Sequence, residues 1–177
     1  MQLTGQQILD RGIIKGVEAI DRESQQQQQG VDLRLGAVCM VDGMGFIPAS
    51  GKTLIPSTSD VYPEYDESYD KEVFELEPGY YEIYFMEKCN LGNNEVMQII
   101  SRSSLVRCGA QVRAGQFDAG FHTERMGAFL EVSLPITIEV GARVAQAIVS
   151  ESYEVQKDDL YKEVRCSISP STTKINA

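Results

Sequence analysis

The sequence predicts a mostly β protein: a distorted β-barrel or jelly roll with one short helix at its N-terminus. Three observations lead there. Short alternating apolar segments bounded by Gly, Pro, Asn or Ser recur at residues 31–35, 80–86, 96–100, 128–134, 136–140 and 143–149, and such runs read as half-buried strands. Convincing helix chemistry is confined to the first ten residues. No internal repeat is visible, so many short strands in one chain are best satisfied by a sheet that folds over on itself and leaves few unpaired edges. With 177 residues, 42% of them apolar, the chain is long enough to bury one substantial core. A single domain is expected over 1–158, followed by a polar tail over 159–177.

The helix comes first. Thr4 is placed as its N-cap, Gln7 as the capping-box partner three residues on, and Leu3 and Ile8 as a hydrophobic staple. The helix should run to about Asp10, because Gly12 and Gly16 then weaken the pattern. Residues 25–29 are five consecutive glutamines, a polar tract read as a loop that ends at Gly30. Strand signal begins at Val31. The stretch 56–77 is rich in Asp, Glu, Ser and Tyr with little periodicity, which reads as a surface excursion. The alternating aromatics at 80–86 read as core and cross-strand packing.

Composition narrows the function. Sixteen Lys and Arg stand against 26 Asp and Glu, a net charge of −10, which argues against a general grip on a nucleic-acid polymer or an anionic membrane. No apolar run approaches the roughly 18 residues of a membrane span, and the first residues lack a signal-peptide pattern, so a cytoplasmic location is expected. Cys39, Cys89, Cys108 and Cys166 are widely spaced and His122 is the one histidine, a poor set for structural zinc; the cysteines read as reduced packing residues. His122-Thr123-Glu124 matches the first half of the zinc deaminase signature, but no Pro-Cys-x-x-Cys follows. Gly51-Lys52-Thr53 ends like a P-loop, yet Phe46 stands where the first glycine belongs, so a hairpin explains it better.

The informative region is 101–146. Arg102-Ser103-Ser104-Leu105-Val106-Arg107 sets two guanidinium forks and two hydroxyls within six residues, a composition suited to a polyphosphate. The same residues also read as an ordinary helix cap with surface arginines. Asp118-Ala119-Gly120-Phe121 joins a carboxylate, a turn and an aromatic ring, which could hold a base or sugar and a water, or be a plain turn. Along 128–134 the alternation puts Ala128, Leu130, Val132 and Leu134 on one face and Phe129, Glu131 and Ser133 on the other.

Four pieces in order, Gly30-Val31-Asp32-Leu33-Arg34-Leu35-Gly36, residues 101–109, Ala114-Gly115-Gln116-Phe117-Asp118-Ala119-Gly120-Phe121 and Gly141-Ala142-Arg143-Val144-Ala145-Gln146, resemble the successive motifs of the dUTPase and dCTP deaminase superfamily. The resemblance covers about 1–155, and the wording is most similar to archaeal dUTPases. It implies a homotrimeric β-barrel with active sites shared between subunits, hydrolysing dUTP to dUMP and pyrophosphate with Mg2+. On that resemblance Arg102, Ser103, Ser104, Arg107 and Gln146 bind phosphates, Gly115 offers backbone groups to the base, and Phe121 packs under the deoxyribose. Asp118 is the catalytic carboxylate, and Asp32 meets the metal through water while the phosphates hold it. The alternatives it leaves are a dCTP deaminase, with Glu131 as a proton shuttle in the barrel interior, and a non-catalytic nucleotide-binding homologue. The family commonly closes its site with a glycine-rich arm, and the tail here, with Arg165, Ser167, Ser171, Thr172 and Lys174 as phosphate candidates, contains no glycine after residue 160.

Overall fold

The computed structural model describes residues 1–155; the expected tail over 159–177, with Cys166, lies outside them. The chain begins with α1 (Gly5–Asp10), which carries the expected capping box between Thr4 and Gln7. Leu3 and Ile8 are both fully buried beneath it, as a hydrophobic staple requires. After β1 (Ile14–Lys15) come α2 (Ala19–Gln25) and β2 (Gln26–Gln27). The glutamine tract is therefore not simply a loop. Its first residue ends a helix and the next two pair with the following strand, because side-chain amides can satisfy buried backbone groups as well as face water.

Most of the remaining chain is antiparallel strand. It runs through β3 (Gly30–Asp42), β4 (Ser57–Val61), β5 (Glu64–Asp66), β6 (Lys71–Leu76), β7 (Gly79–Phe85), β8 (Lys88–Asn90) and β9 (Glu95–Ser101). A five-residue helix, α3 (Ser103–Arg107), leads to β10 (Ala110–Arg113), β11 (Gln116–Phe117), β12 (His122–Thr123), β13 (Gly127–Val132), β14 (Ile136–Glu139) and β15 (Arg143–Glu151). The main sheet has nine strands in the order β10-β13-β7-β3-β15-β9-β11, with β2 and β4 also on β3. Two three-stranded sheets, β1-β8-β12 and β14-β6-β5, accompany it. The main sheet curls into a half-barrel, as the sequence predicts.

The 56–77 stretch departs from expectation. It contains β4, β5 and β6, and Val73, Phe74 and Leu76 are buried where β6 pairs with β14. Its apolar residues are interspersed with Lys71, Glu72 and Glu75 without a clean period of two, so composition concealed a strand. The Gly51-Lys52-Thr53 segment behaves as expected: it sits in the β3–β4 hairpin, with Gly51 at φ +100° and a bridge between Phe46 and Leu54.

The core lies inside the curl. Along β13, Ala128, Leu130 and Val132 are buried while Phe129 and Glu131 are half-exposed. Each fully buried Leu or Ile contributes about 1.5–3 kcal/mol. On the outer face Tyr80 stacks on Phe129 with ring centroids 5.2 Å apart. One stretch breaks the in–out rhythm: residues 30–33 of β3 are buried in succession. There α2 and β2 cover the outer face, with Gln25 and Gln27 both bonded to Asp32.

Candidate active site

The buried stretch of β3 carries a carboxylate. Asp32 pairs across the sheet with Gln146 of β15, and Gln146 in turn pairs with Ile100 of β9. Three motifs distant in sequence thus become neighbours through strand register alone. Arg102, just past the end of β9, has its Nε 3.1 Å from Asp32 Oδ2, and its Nη1 donates to the Arg143 carbonyl at 3.2 Å. Arg143 Nη1 lies 3.4 Å from the same Oδ2, and the register shift between Arg143 and Ala145 marks a bulge that re-aims this end of β15. Gln146 Nε2 donates to Asp32 Oδ1 at 3.3 Å. Gln27 Nε2 donates to Oδ2 at 3.3 Å.

Asp32 is therefore a carboxylate with 2% side-chain exposure that accepts from two guanidiniums and two amides. Burial pushes its carboxyl above the ordinary value of 3.8, while Arg102, Arg143 and Gln146 pull the other way. The close packing also explains the glycine that begins the motif. A Cβ on Gly30 would stand 2.5 Å from the Ala147 carbonyl oxygen and 2.9 Å from Gln146 Cγ, so any side chain there would displace β15.

Beneath this cradle runs a second polar chain that the sequence did not announce. Glu87 is fully buried. It accepts from Arg34 Nε at 2.7 Å, from the Arg34 backbone N–H at 2.9 Å and from Gln25 Nε2 at 2.8 Å. The same Gln25 nitrogen donates to the Asp32 carbonyl at 2.8 Å, and Arg34 Nη1 reaches Asp21 at 2.8 Å. Backbone on both sides of Leu33 is thus pinned, which fixes where Asp32 points.

The other expected residues are placed as follows. Ser103 and Ser104 are exposed in the first turn of α3, whose N-cap is Arg102. First-turn N–H groups have no intrahelical acceptor, so they and the two hydroxyls are donors beside the cradle. Arg107, in the last turn, is exposed. Gly115 lies in open space, with nothing within 4 Å of the point where a Cβ would sit. Asp118 is exposed and its Oδ1 accepts from Gln116 Nε2 at 3.2 Å. Phe121 is half-buried and meets Phe117 edge-on at 5.2 Å. His122 is exposed in β12.

Two expectations change. Glu131 is not in the barrel interior: it lies on the outer face, because the apolar partners of its strand claim the inner one. It accepts from Arg113 Nε at 2.5 Å and from Gln111 Nε2 at 3.3 Å. Cys108 is exposed rather than packed, whereas Cys39 and Cys89 are buried, with thiols pushed up to about 11 and about 12, burial being the first cause of each.

Within the single chain Asp118 does not meet the cradle. Phe117 pairs with Met97, so Asp118 lies beside Val96, at the far end of β9 from Arg102, ~20 Å away at the usual rise per residue. Nor does the chain build a metal cage: among the described residues no three His, Cys, Asp or Glu side chains converge. Asp32 suits at most one outer contact to a cation that arrives with an anionic ligand, since both its oxygens already hold donors.

The match that decides the family is with a model of dCTP deaminase-like proteins, which covers residues 2–152. The chain belongs to the dCTP deaminase-like family. Relatives within reach of this dCTP deaminase-like chain include the probable deoxyuridine 5′-triphosphate nucleotidohydrolase of Halobacterium salinarum, 34% identical over 84% of this chain and 89% of that protein. The probable enzyme of the same name from Aeropyrum pernix is 32% identical over 92% of this chain and 95% of that protein. The deoxyuridine 5′-triphosphate nucleotidohydrolase of Methanocaldococcus jannaschii is 32% identical over 76% and 83%. Among solved structures, the 2′-deoxycytidine 5′-triphosphate deaminase of Agrobacterium tumefaciens superposes with a TM-score of 0.59 at 22% identity over 84% of this chain. The chain spans about half of that polypeptide, 47%, and the likeness establishes the shared fold. No helix among the described residues is long and apolar enough to cross a membrane.

Proposed function

We propose that this protein is a dUTP diphosphatase, hydrolysing dUTP to dUMP and pyrophosphate. The observation that carries the reading is the convergence of Arg102, Arg143 and Gln146 on Asp32, beside the hydroxyls and free N–H groups of Ser103 and Ser104. Two guanidiniums with an amide and several N–H donors suit a phosphate chain, and Arg107 adds a further cation along the same helix. The names of the relatives supply the substrate.

Base and sugar selection fall to the segment around β11. The open backbone at Gly115 is available to the edge of a uracil, and the Phe121 ring offers an apolar floor to the deoxyribose. A ribose 2′-hydroxyl there would lose water without gaining a partner, which costs about 1–3 kcal/mol. Asp118, solvent-exposed and steadied by Gln116, orients the attacking water and takes its proton. Because Asp118 and the cradle stand far apart in one protomer, the complete site is assembled from more than one subunit, and a homotrimer meets that requirement. Asp32 would be the residue to meet a magnesium ion carried by the triphosphate, through water, and that ion would supply charge neutralisation of the phosphates.

The test is to incubate the purified protein with dUTP and dCTP separately, with and without magnesium. Magnesium-dependent pyrophosphate from dUTP is the expected result. Ammonia from dCTP would transfer the assignment to deamination, and nucleotide binding without product would make the protein a non-catalytic binder.

A further inference from the structure

A guanidinium that is to hold phosphate must be free to turn toward it, yet both guanidiniums of the cradle are already engaged. Arg102 is held by Asp32 and by the Arg143 carbonyl. Arg143 is held by Asp32 and by the carbonyl of Ser24. That carbonyl also accepts from Gln27 Nε2 at 3.0 Å, and Gln27 reaches on to Asp32. The Asp32 carboxylate thus occupies the position of an anionic ligand, and the α2–β2 segment is tied down by the groups that hold it there.

The tie is polar and little else. Of the seven residues of α2 only Gln25 is buried, and Ile20 is 86% exposed. Gln25 itself, with no exposed surface, leaves its Oε1 without a hydrogen-bond partner among the described residues, which weakens the closed arrangement from within. A segment with few apolar contacts and an orphaned buried acceptor belongs to the least stable part of a fold.

We propose that Asp32 is the resident counter-anion of the cradle, and that a pyrophosphate-class anion binds by exchange for it, loosening the α2–β2 strap as it draws Arg143 away. The inference rests on the reading of the cradle as the phosphate site. It makes Asp32 a competitor of the phosphate chain in the absence of a cation, and it makes Gln27 a positioning residue that biases the cradle toward its closed form. Anion binding then depends on the strap's stability as much as on the donors that contact the ligand.

The experiment is hydrogen exchange of the full chain with and without inorganic pyrophosphate, free of divalent cations, with binding followed by calorimetry on the same samples. Bound pyrophosphate should speed exchange of the strap amides, residues 19–27, several-fold and leave the β9–β15 ladder unchanged. Bound pyrophosphate with an unchanged or slowed strap overturns the proposal, as does a failure to bind. Asp32→Asn should bind cation-free pyrophosphate about tenfold more tightly, and weaker binding would remove Asp32 from the role. Gln27→Leu leaves both guanidiniums in place; it should quicken strap exchange without ligand and tighten pyrophosphate binding, and the absence of both changes would refute the tie. The dUTP assay separates the two readings. Hydrolysis with an inert strap sinks the exchange alone, whereas exchange without hydrolysis sinks the diphosphatase.

Discussion

The hydroxyl of Ser101 bonds twice to one residue on another strand: it accepts from the Val112 N–H at 2.7 Å and donates to the Val112 carbonyl at 3.2 Å. This pair of hydrogen bonds joins the end of β9 to β10, immediately before Arg102. Ser101→Ala would leave both backbone groups unpartnered. The expected cost is about 1–3 kcal/mol per buried group left unsatisfied, read by denaturant unfolding, together with weaker binding of a non-hydrolysable dUTP analogue. Unchanged stability and affinity would show that water replaces the hydroxyl at no cost.

Glu87 bears on stability more heavily than any exposed acid. Removing it strips Arg34 and the buried Gln25 of their common acceptor, a carboxylate with no exposed surface. Glu87→Ala should cost about 3–5 kcal/mol, the range for breaking a buried pair from one side. An unfolding midpoint within error of the parent would contradict the network. By contrast, the Arg113–Glu131 pair, with side-chain exposures of 55% and 39%, contributes at most about 1 kcal/mol.

The pH dependence has a defined sign at Asp32. Its carboxyl in the folded protein titrates above the ordinary 3.8, so the folded state takes up this proton before the unfolded state does. The stabilisation linked to that proton is complete below the ordinary value and is lost as pH rises through the folded value. Relative to Asp32→Asn, the parent protein should therefore lose stability with rising pH across that window. Urea titrations of both proteins at a series of pH values measure it; a difference that is flat or grows with pH would refute the assignment.

Asp118→Ala should lower pyrophosphate release by about 10²–10⁴-fold, the usual share of a positioned general base. Binding of the unreactive analogue should persist, because the cradle lies elsewhere in the protomer. Undiminished turnover would remove Asp118 from the chemistry.

What could be read beforehand followed local rules. The capping box at Thr4 and Gln7, the alternation along 128–132 and the hairpin at Gly51 each depend on a few adjacent residues, and the structure has all three; Leu134, expected on the buried face, is 60% exposed because the strand ends at Val132. Asp32 and Gln146 were legible as members of motifs, and register explains why those motifs sit together. Glu87 and Gln25 were not legible. Both are polar residue types whose ordinary place is the surface, and only the packing of α2 and β2 over β3 places them inside. Glu131 was assigned to the right strand and the wrong side of the barrel, since alternation separates two faces without saying which one the core will claim. Residues 71–76 were missed because acidic neighbours masked Val73, Phe74 and Leu76.

The N-terminal amine of Met1 donates to the carbonyl of Glu151 at 3.0 Å, and the Leu3 N–H donates to the Val149 carbonyl at 2.9 Å. The start of the chain and the close of β15 therefore lie side by side. A short linker from Glu151 to Met1 in place of residues 152–177, with new ends opened at the exposed hairpin glycine 51, would give a permuted chain with the same sheet order. In that rearranged chain, the path from Gln146 to Asp32 would run through the linker and the N-terminal segment alone, far shorter than the present offset of 114 positions.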